Sequence, residues 1–288
     1  MGDVWSRDKS RAPQIGRASG VGLLLACLAL SAVPEDALAY PFSRVLARGD
    51  RGQQVKALEI RVVGWFPRPV RKTLHVNRRF GRRTVRAVKA FQRRYGLTVD
   101  GIAGPQTFGR LDRLQDRDGS TAHFEFGEFK QHRNSGCSRR ANRHAGTFRG
   151  GRVGRHKVRR SVKRLMWRLE AIRAKAHGRP VEVVSGFRSV AYNRCIGGAT
   201  LSQHLYGTAV DIKIARVGGH RERRLARRSQ IHGLECYSSL AHNHLDIRIE
   251  NPRLPDFRHW YWPERDRWGR DLTSDSRVCK GERRRRRR

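Results

Sequence analysis

The chain has 288 residues, enough for one large domain or two modest ones, each with its own core. Only 38% of it is hydrophobic and 31% is charged, with a formal net charge of +38, so polyanions of any kind will hold it. No apolar stretch is long enough for a comfortable membrane span, so no membrane-spanning helix is expected.

The first 39 residues read as an address. Arg7, Lys9, Arg11 and Arg17 lead into an apolar run at residues 21–33 and then the small-x-small triplet Ala37-Leu38-Ala39. That order predicts a secretory signal peptide over residues 1–39, cut after Ala39. Leu24-Leu25-Ala26-Cys27 loosely resembles a lipoprotein box, but the apolar run continues past Cys27. Export argues against nucleic acid as the partner behind the charge. Beyond the leader stand Cys137, Cys195, Cys236 and Cys279, an even number that predicts two disulfides in an exported chain. Of the three connectivities, Cys195–Cys236 is favoured because both flank the site described below, with Cys137–Cys279 tying the ends of the domain.

A first module spans residues 40–115. Arg48-Gly49-Asp50-Arg51-Gly52 is a turn with Asp50 placed to cap a helix, and Val55, Leu58 and Val62 follow at helical spacing. A second helix is predicted over residues 84–95, with Val85, Val88, Phe91 and Tyr95 on one face and Gly96 ending it. A third begins at Pro105 and buries Phe108 and Leu111. Residues 76–84 align with residues 99–107 at a shift of 23 positions, a duplicated turn-and-helix unit within a small three-helix bundle. The strings Phe80-Gly81-x-x-Thr84-x-x-Ala87-Val88-x-x-Phe91-Gln92 and Gly96-Leu97-x-Val99-Asp100-Gly101-x-x-Gly104-x-x-Thr107 resemble the three-helix peptidoglycan-binding domain found on wall hydrolases. Two departures touch what such a domain binds rather than how it folds. Glu59 stands where that family has glutamine, and Asn77-Arg78 replaces Asp-Gly in the first turn.

Residues 113–122 are polar and turn-rich, a natural boundary to a second domain over residues 116–270. Phe124, Phe126 and Phe129 alternate with polar residues as on a half-buried strand. Residues 146–160, mostly Gly, Arg and His, read as an exposed loop. A long helix follows over residues 158–176, its stripe formed by Val162, Leu165, Met166, Leu169, Ile172 and Ala176, with Trp167 off the stripe at a domain contact. Val181-Glu182-Val183-Val184 is a short strand delivering Ser185-Gly186-Phe187-Arg188.

The chemistry concentrates after that strand. His204 and Asp211 are seven apart in Ser202-x-His204-x-x-Gly207-x-Ala209-x-Asp211, where small residues let the backbone bend and two side chains converge. One neutral imidazole and one carboxylate are good zinc ligands, and an open site needs a third. His242, His244 and Asp246 offer it, since positions i, i+2 and i+4 of a strand share a face. Any one of the twelve histidines is more often structural or solvated than catalytic; the combination is what carries weight.

Ser185-Gly186-Phe187-Arg188-Ser189, Gly197-Gly198-Ala199, the His204–Asp211 motif and His244-x-Asp246 together resemble the zinc D-Ala-D-Ala carboxypeptidase family. That family includes wall endopeptidases and shares its fold with hedgehog signalling domains. The resemblance implies one zinc ion held by His204, Asp211 and His244. It implies Arg188 as the group that binds a substrate carboxylate or carbonyl, helped by Ser202. Relatives carry an acidic residue three positions before the last ligand; here that position is Ala241, which makes His242 the candidate general base and Glu235 an alternative. Asp246 orients His244.

The expected architecture is α+β: a three-helix bundle, then a zinc peptidase domain with an antiparallel sheet flanked by helices, then a disordered basic tail over residues 271–288. The tail, and the charge generally, would hold anionic wall polymers besides peptidoglycan. The implied protein is secreted and associated with the wall on the bacterial exterior. It cleaves stem peptides as a carboxypeptidase, with an endopeptidase or a non-catalytic wall-binding protein as the competing readings.

Overall fold

The computed structural model describes residues 42–67, 74–130, 137, 146–148, 151–199, 202–236 and 242–247. The chain divides into Met1–Ala37, none of which is described, and Leu38–Arg288, which holds everything below. The leader, Ala241, Cys279 and the terminal arginines lie outside the described residues.

Helix α1, Gln53–Val62, forms where Val55, Leu58 and Val62 recur on one buried face, and a 3-10 turn, Val63–Trp65, extends it. Helix α2, Arg82–Arg94, buries Thr84, Ala87, Val88 and Phe91. Helix α3, Pro105–Asp112, starts on a proline whose missing N–H would have no partner there. Asp50 does not cap α1, whose N-terminal residue Gly52 offers no side chain. Its carboxylate instead accepts the Ala47 N–H and a bond from Arg44, closing the preceding turn.

The duplication explains both departures in this module. In the second copy the Gln92 amide donates to Asp100 Oδ1, Ile102 O and Thr107 Oγ1, and its oxygen accepts the Gly101 N–H. In the first copy Glu59 accepts from Asn77 N, Arg78 N and Thr84 Oγ1. A carboxylate at 59 cannot donate to a second carboxylate, so Asn77 in place of an aspartate removes the clash of like charges. Arg78 takes the place of Gly101 and keeps its left-handed backbone, with φ of 65° against 82°.

Residues 123–129 form no strand. Most of their backbone bonds are local, Phe124 N to Thr121 O, Glu128 N to Glu125 O and Lys130 N to Gly127 O, with a single long-range bond from Phe187 N to Phe129 O at 2.7 Å in place of a ladder. Phe124, Phe126 and Phe129 are nonetheless buried in the second core. Residues 146–153 are not a plain loop either: β1, Gly146–Phe148, pairs antiparallel with β2, Gly151–Val153.

Helix α4, Arg155–Lys175, serves two cores. Val162, Leu165, Met166, Leu169 and Ile172 face the sheet, while Trp167, Ala171 and Ala174 enter the core of the three-helix bundle. The sheet is antiparallel in the order β3-β4-β6-β5, from β3 Val181–Ser185, β4 Ala209–Ile214, β5 Gly233–Cys236 and β6 Asn243–Asp246. Helix α5, Val190–Cys195, follows β3, and α6, Gly219–Arg227, follows β4. Val210, Ile212 and Leu245 point into the core, which turns Asp211, His244 and Asp246 to the other face.

The disulfide joins Cys137 to Cys195. The expected pairing of Cys195 with Cys236 is therefore not formed, nor is Cys137 with Cys279. Cys195 ends α5 and its one sulfur is taken by Cys137, whereas Cys236 ends β5 at the edge of the sheet away from β3.

Candidate metal centre

Register builds the site. Asp211 pairs with Ser185 on β3 and with His244 on β6, and His244 pairs with Glu235 on β5, so one row crosses all four strands. An irregularity between Val183 and Ser185 shifts β3 so that Ser185 comes level with Asp211. His204 arrives from outside the sheet, on the 3-10 turn Gln203–Tyr206 that ends on the left-handed Gly207. A Cβ on Gly207 would meet the Val158 carbonyl at 3.0 Å, so a glycine is needed both for the turn and for its seat on α4.

Three side-chain atoms converge. His204 Nε2 lies 3.0 Å from His244 Nδ1, which lies 3.1 Å from Asp211 Oδ1, and the remaining side of the triangle is 3.3 Å. Ligands about 2.05 Å from a tetrahedral zinc stand roughly 3.3 Å apart, so this triangle is one face of such a tetrahedron. All three residues are buried, and among the described residues they are the one His/Cys/Asp/Glu group that could hold a metal ion.

Partners behind the rings fix what they present. His204 Nδ1 lies 2.6 Å from the Gly186 carbonyl, which can only accept, so the proton sits on Nδ1 and Nε2 offers a lone pair. His244 Nε2 faces Asp246 Oδ2 at 3.3 Å, which leaves Nδ1 as its lone pair. Two nitrogen lone pairs and a carboxylate oxygen thus aim at one point, an arrangement that a cation stabilises and that nothing neutral satisfies.

The electrostatics agree. Burial would raise the Asp211 carboxyl, but the charges and hydrogen bonds of His204 and His244 hold it far below the usual carboxylate range. Burial lowers His204, partly offset by Asp211. It also acts to lower His244, yet hydrogen bonds to Asp211 and Asp246 outweigh it and push the imidazole up to about 9. Two buried carboxylates demand a positive partner between them, and a dication meets that demand better than one proton.

Arg188 is committed here. Its Nη2 donates to Asp211 Oδ2 at 2.8 Å and its Nε to Ser185 Oγ at 3.1 Å, so it steers the other oxygen, Oδ1, toward the triangle. The contacts with Asp211 and Ser185 do not use its Nη1 donors. Ser202 begins the turn that carries His204. His242 lies just before β6 rather than on it, half-buried, with the charges of Asp211, Lys213, Arg188 and His244 bearing on it; burial lowers its pKa from 6.5.

Two contributors were given no role by spacing or residue type. Gly186 supplies the carbonyl for His204, and a side chain there would strike the Phe129 carbonyl at 2.5 Å. Gly233 lies opposite Asp246, and a Cβ on it would come within 2.0 Å of Asp246 Oδ2. Gly186 stood in the string Ser185-Gly186-Phe187-Arg188-Ser189 without a role of its own, and Gly233 was legible only as an unremarkable glycine.

With this geometry in place the comparisons with known proteins fall into order. Residues 126–246 match the peptidase M15 family. Residues 51–111 match the putative peptidoglycan binding domain family, ahead of the segment that matches the peptidase family. The chain is 37% identical over 173 residues to the zinc D-Ala-D-Ala carboxypeptidase of Streptomyces albus G, a match covering 60% of this chain and 62% of that relative's length. Among solved structures, a peptidoglycan-binding protein from Clostridioides difficile in complex with glutamine hydroxamate is 37% identical, covering 27% of this chain and 46% of that one at a TM-score of 0.23. The SleB N-terminal domain is 35% identical over 24% of this chain and 89% of that one, at a TM-score of 0.21. No helix among the described residues is long and apolar enough to cross a membrane.

Proposed function

We propose that this chain is an exported zinc-dependent peptidase that cleaves peptidoglycan stem peptides, acting as a D-Ala-D-Ala carboxypeptidase at the wall. The observation that carries this reading is the convergence of His204 Nε2, Asp211 Oδ1 and His244 Nδ1 within 3.0–3.3 Å of one another, with Arg188 beside them. The M15 match and the carboxypeptidase relative support it, and the signal-like leader supports export.

His204, Asp211 and His244 would hold the metal. When bound, zinc supplies a Lewis acid that polarises a carbonyl and brings the pKa of water to about 7. The residues around it do the rest. Gly186 and Asp246 keep both imidazoles in the ligating tautomer. Asp211, Asp246 and Arg188 leave one net negative charge, so a dication makes the centre positive and suited to a developing oxyanion. His242 takes the proton from water and returns it to the leaving amine. Arg188 grips the substrate carboxylate or carbonyl with the donors that Asp211 and Ser185 do not use, and Ser202 assists.

The test incubates the secreted form with defined stem peptides and cross-linked dimers, with and without a chelator, followed by mass spectrometry. Release of the terminal residue from free-ended peptides, abolished by the chelator and restored by zinc, is expected. Zinc binding without any turnover would leave a non-catalytic wall-binding protein; preferential cleavage of the dimers would make it an endopeptidase.

A further inference from the structure

The two copies inside the binding module are built alike and charged differently. At the shift of 23 positions, Asn77-Arg78-Arg79 corresponds to Asp100-Gly101-Ile102, and Arg82-Arg83 to Pro105-Gln106. The first copy therefore has four arginines and no acid where the second has one acid and no base. All four arginines are exposed. Backbone bonds gather further cations beside them: Gly52 N donates to Arg78 O at 3.0 Å, Lys56 N to Gly52 O at 3.1 Å, and Arg51 pairs with Arg79.

Arg160 and Arg164 of α4 extend this face into the domain that carries the sheet; burial, with the charges of Arg164, Arg78 and Arg160, pulls the Lys56 ammonium below its ordinary range. The nearby carboxylates are taken. Asp50 is paired with Arg44 and the Ala47 N–H, and Glu59 is fully buried on the Asn77 and Arg78 amides. Between residues 42 and 115 the chain carries 18 Lys and Arg against four acids, so positive charge dominates this module.

Two features of the face work against the fold. Arg78 holds a φ of 65°, a conformation that costs an L-residue and that its duplicate gives to Gly101. Arg82 and Arg83 open α2, whose first turn has no acidic residue, at the positive end of the helix dipole. A dense negative charge laid across the face relieves the second of these.

We propose that this face binds a phosphodiester-linked anionic polymer of the cell wall, at a site separate from the metal centre. A polymer with one fixed negative charge per repeat engages several guanidinium groups at once, each through a two-pronged donor pair, whereas a lone peptide carboxylate engages one. Among the residues whose side chains are described, no Phe, Tyr or Trp is exposed to stack on bases, which disfavours single-stranded nucleic acid. The location of the partner rests on the wall-acting reading above; the chemistry of the surface does not.

The experiment measures binding of the secreted form to purified walls before and after removal of their phosphodiester polymers, at low and high salt. The variant R78G/R82Q/R83Q is expected to bind intact walls about tenfold more weakly at low salt, with the difference gone on stripped walls and at high salt. A variant R51Q/R79Q, which leaves α2 untouched, shows the same direction even if the triple variant folds poorly. R221Q/R224Q/R227Q removes equal charge from α6 and binds as the unaltered protein does. The proposal is overturned if stripped walls bind equally well, if the α6 variant loses as much as the triple variant, or if duplex DNA displaces the protein at lower concentration than poly(glycerol phosphate). Turnover of soluble stem peptides is scored separately, so failure here is distinct from failure of the peptidase reading.

Discussion

At the residue scale, the acceptors behind the imidazoles matter as much as the ligands. Asp246 takes the far N–H of His244, and Gly233 leaves the room for it to do so. Asp246→Asn keeps the shape but frees the tautomer, so zinc affinity should fall about 10–100-fold, read by competition with a chromogenic chelator. Gly233→Ala should match that loss although glycine ligates nothing, because the added carbon displaces the carboxylate; unchanged affinity would sink the role given to Asp246. The ligand pair His204 and Asp211 was legible from spacing, and His244 from its alternation with Asp246. Arg188 was legible as a site residue, but its bond to Asp211 was not, because that contact depends on the register shift at Ser185.

At the scale of elements, a polar network shared by two copies of one motif sets the pH response of the binding module. Burial raises the Glu59 carboxyl above 4.5, against the hydrogen bonds from Arg78, Asn77 and Thr84. A carboxyl raised in the folded state contributes stability below its unfolded value, and that contribution is lost as pH rises through the folded value. Glu59→Gln, which keeps an acceptor for both amides, should therefore melt higher than the unaltered protein at pH 7, with the margin closing as pH falls toward 4.5. A melting difference independent of pH would contradict this. The helices were legible here because their buried residues recur every three to four positions. The three phenylalanines of residues 123–129 misled for the opposite reason: two-residue alternation describes burial, and turns that close on themselves bury alternate residues as well as a ladder does.

At the scale of the molecule, α4 makes the three-helix bundle and the domain that carries the sheet share one packed boundary. Gly64 lies against it, where a Cβ would stand 2.6 Å from Ala171 Cβ and 3.3 Å from the Trp167 carbonyl. Gly64→Val should cost about 1–3 kcal/mol by overpacking and split one calorimetric transition into two. Lys175 spans the same boundary, donating to Gly64 O at 2.6 Å and to Ser229 Oγ at 3.1 Å, and also to Arg228 O. Burial and the Arg228 charge bring its ammonium down from 10.5 to about 7. Between those values the unfolded chain binds more protons than the folded one, so stability rises with pH across the window. Lys175→Met should abolish that rise, measured by urea unfolding at the two ends of the window.

The sequence by itself determined the α+β class, the three-helix bundle with its duplication, the long helix and the residues that meet at the metal centre, because each is written as periodicity or as a short spacing along one strand or turn. Only the tertiary structure decided the rest. The Cys137–Cys195 bond joins two segments 58 residues apart in sequence, and that proximity is a property of the folded domain. The tautomers of His204 and His244 follow from a backbone carbonyl and a carboxylate brought in by register. The basic face follows from backbone bonds that set Arg51, Lys56 and Arg78 side by side. Each of these depends on which chain segments end up as neighbours, and long-range pairing leaves no periodic trace in the residues that make it.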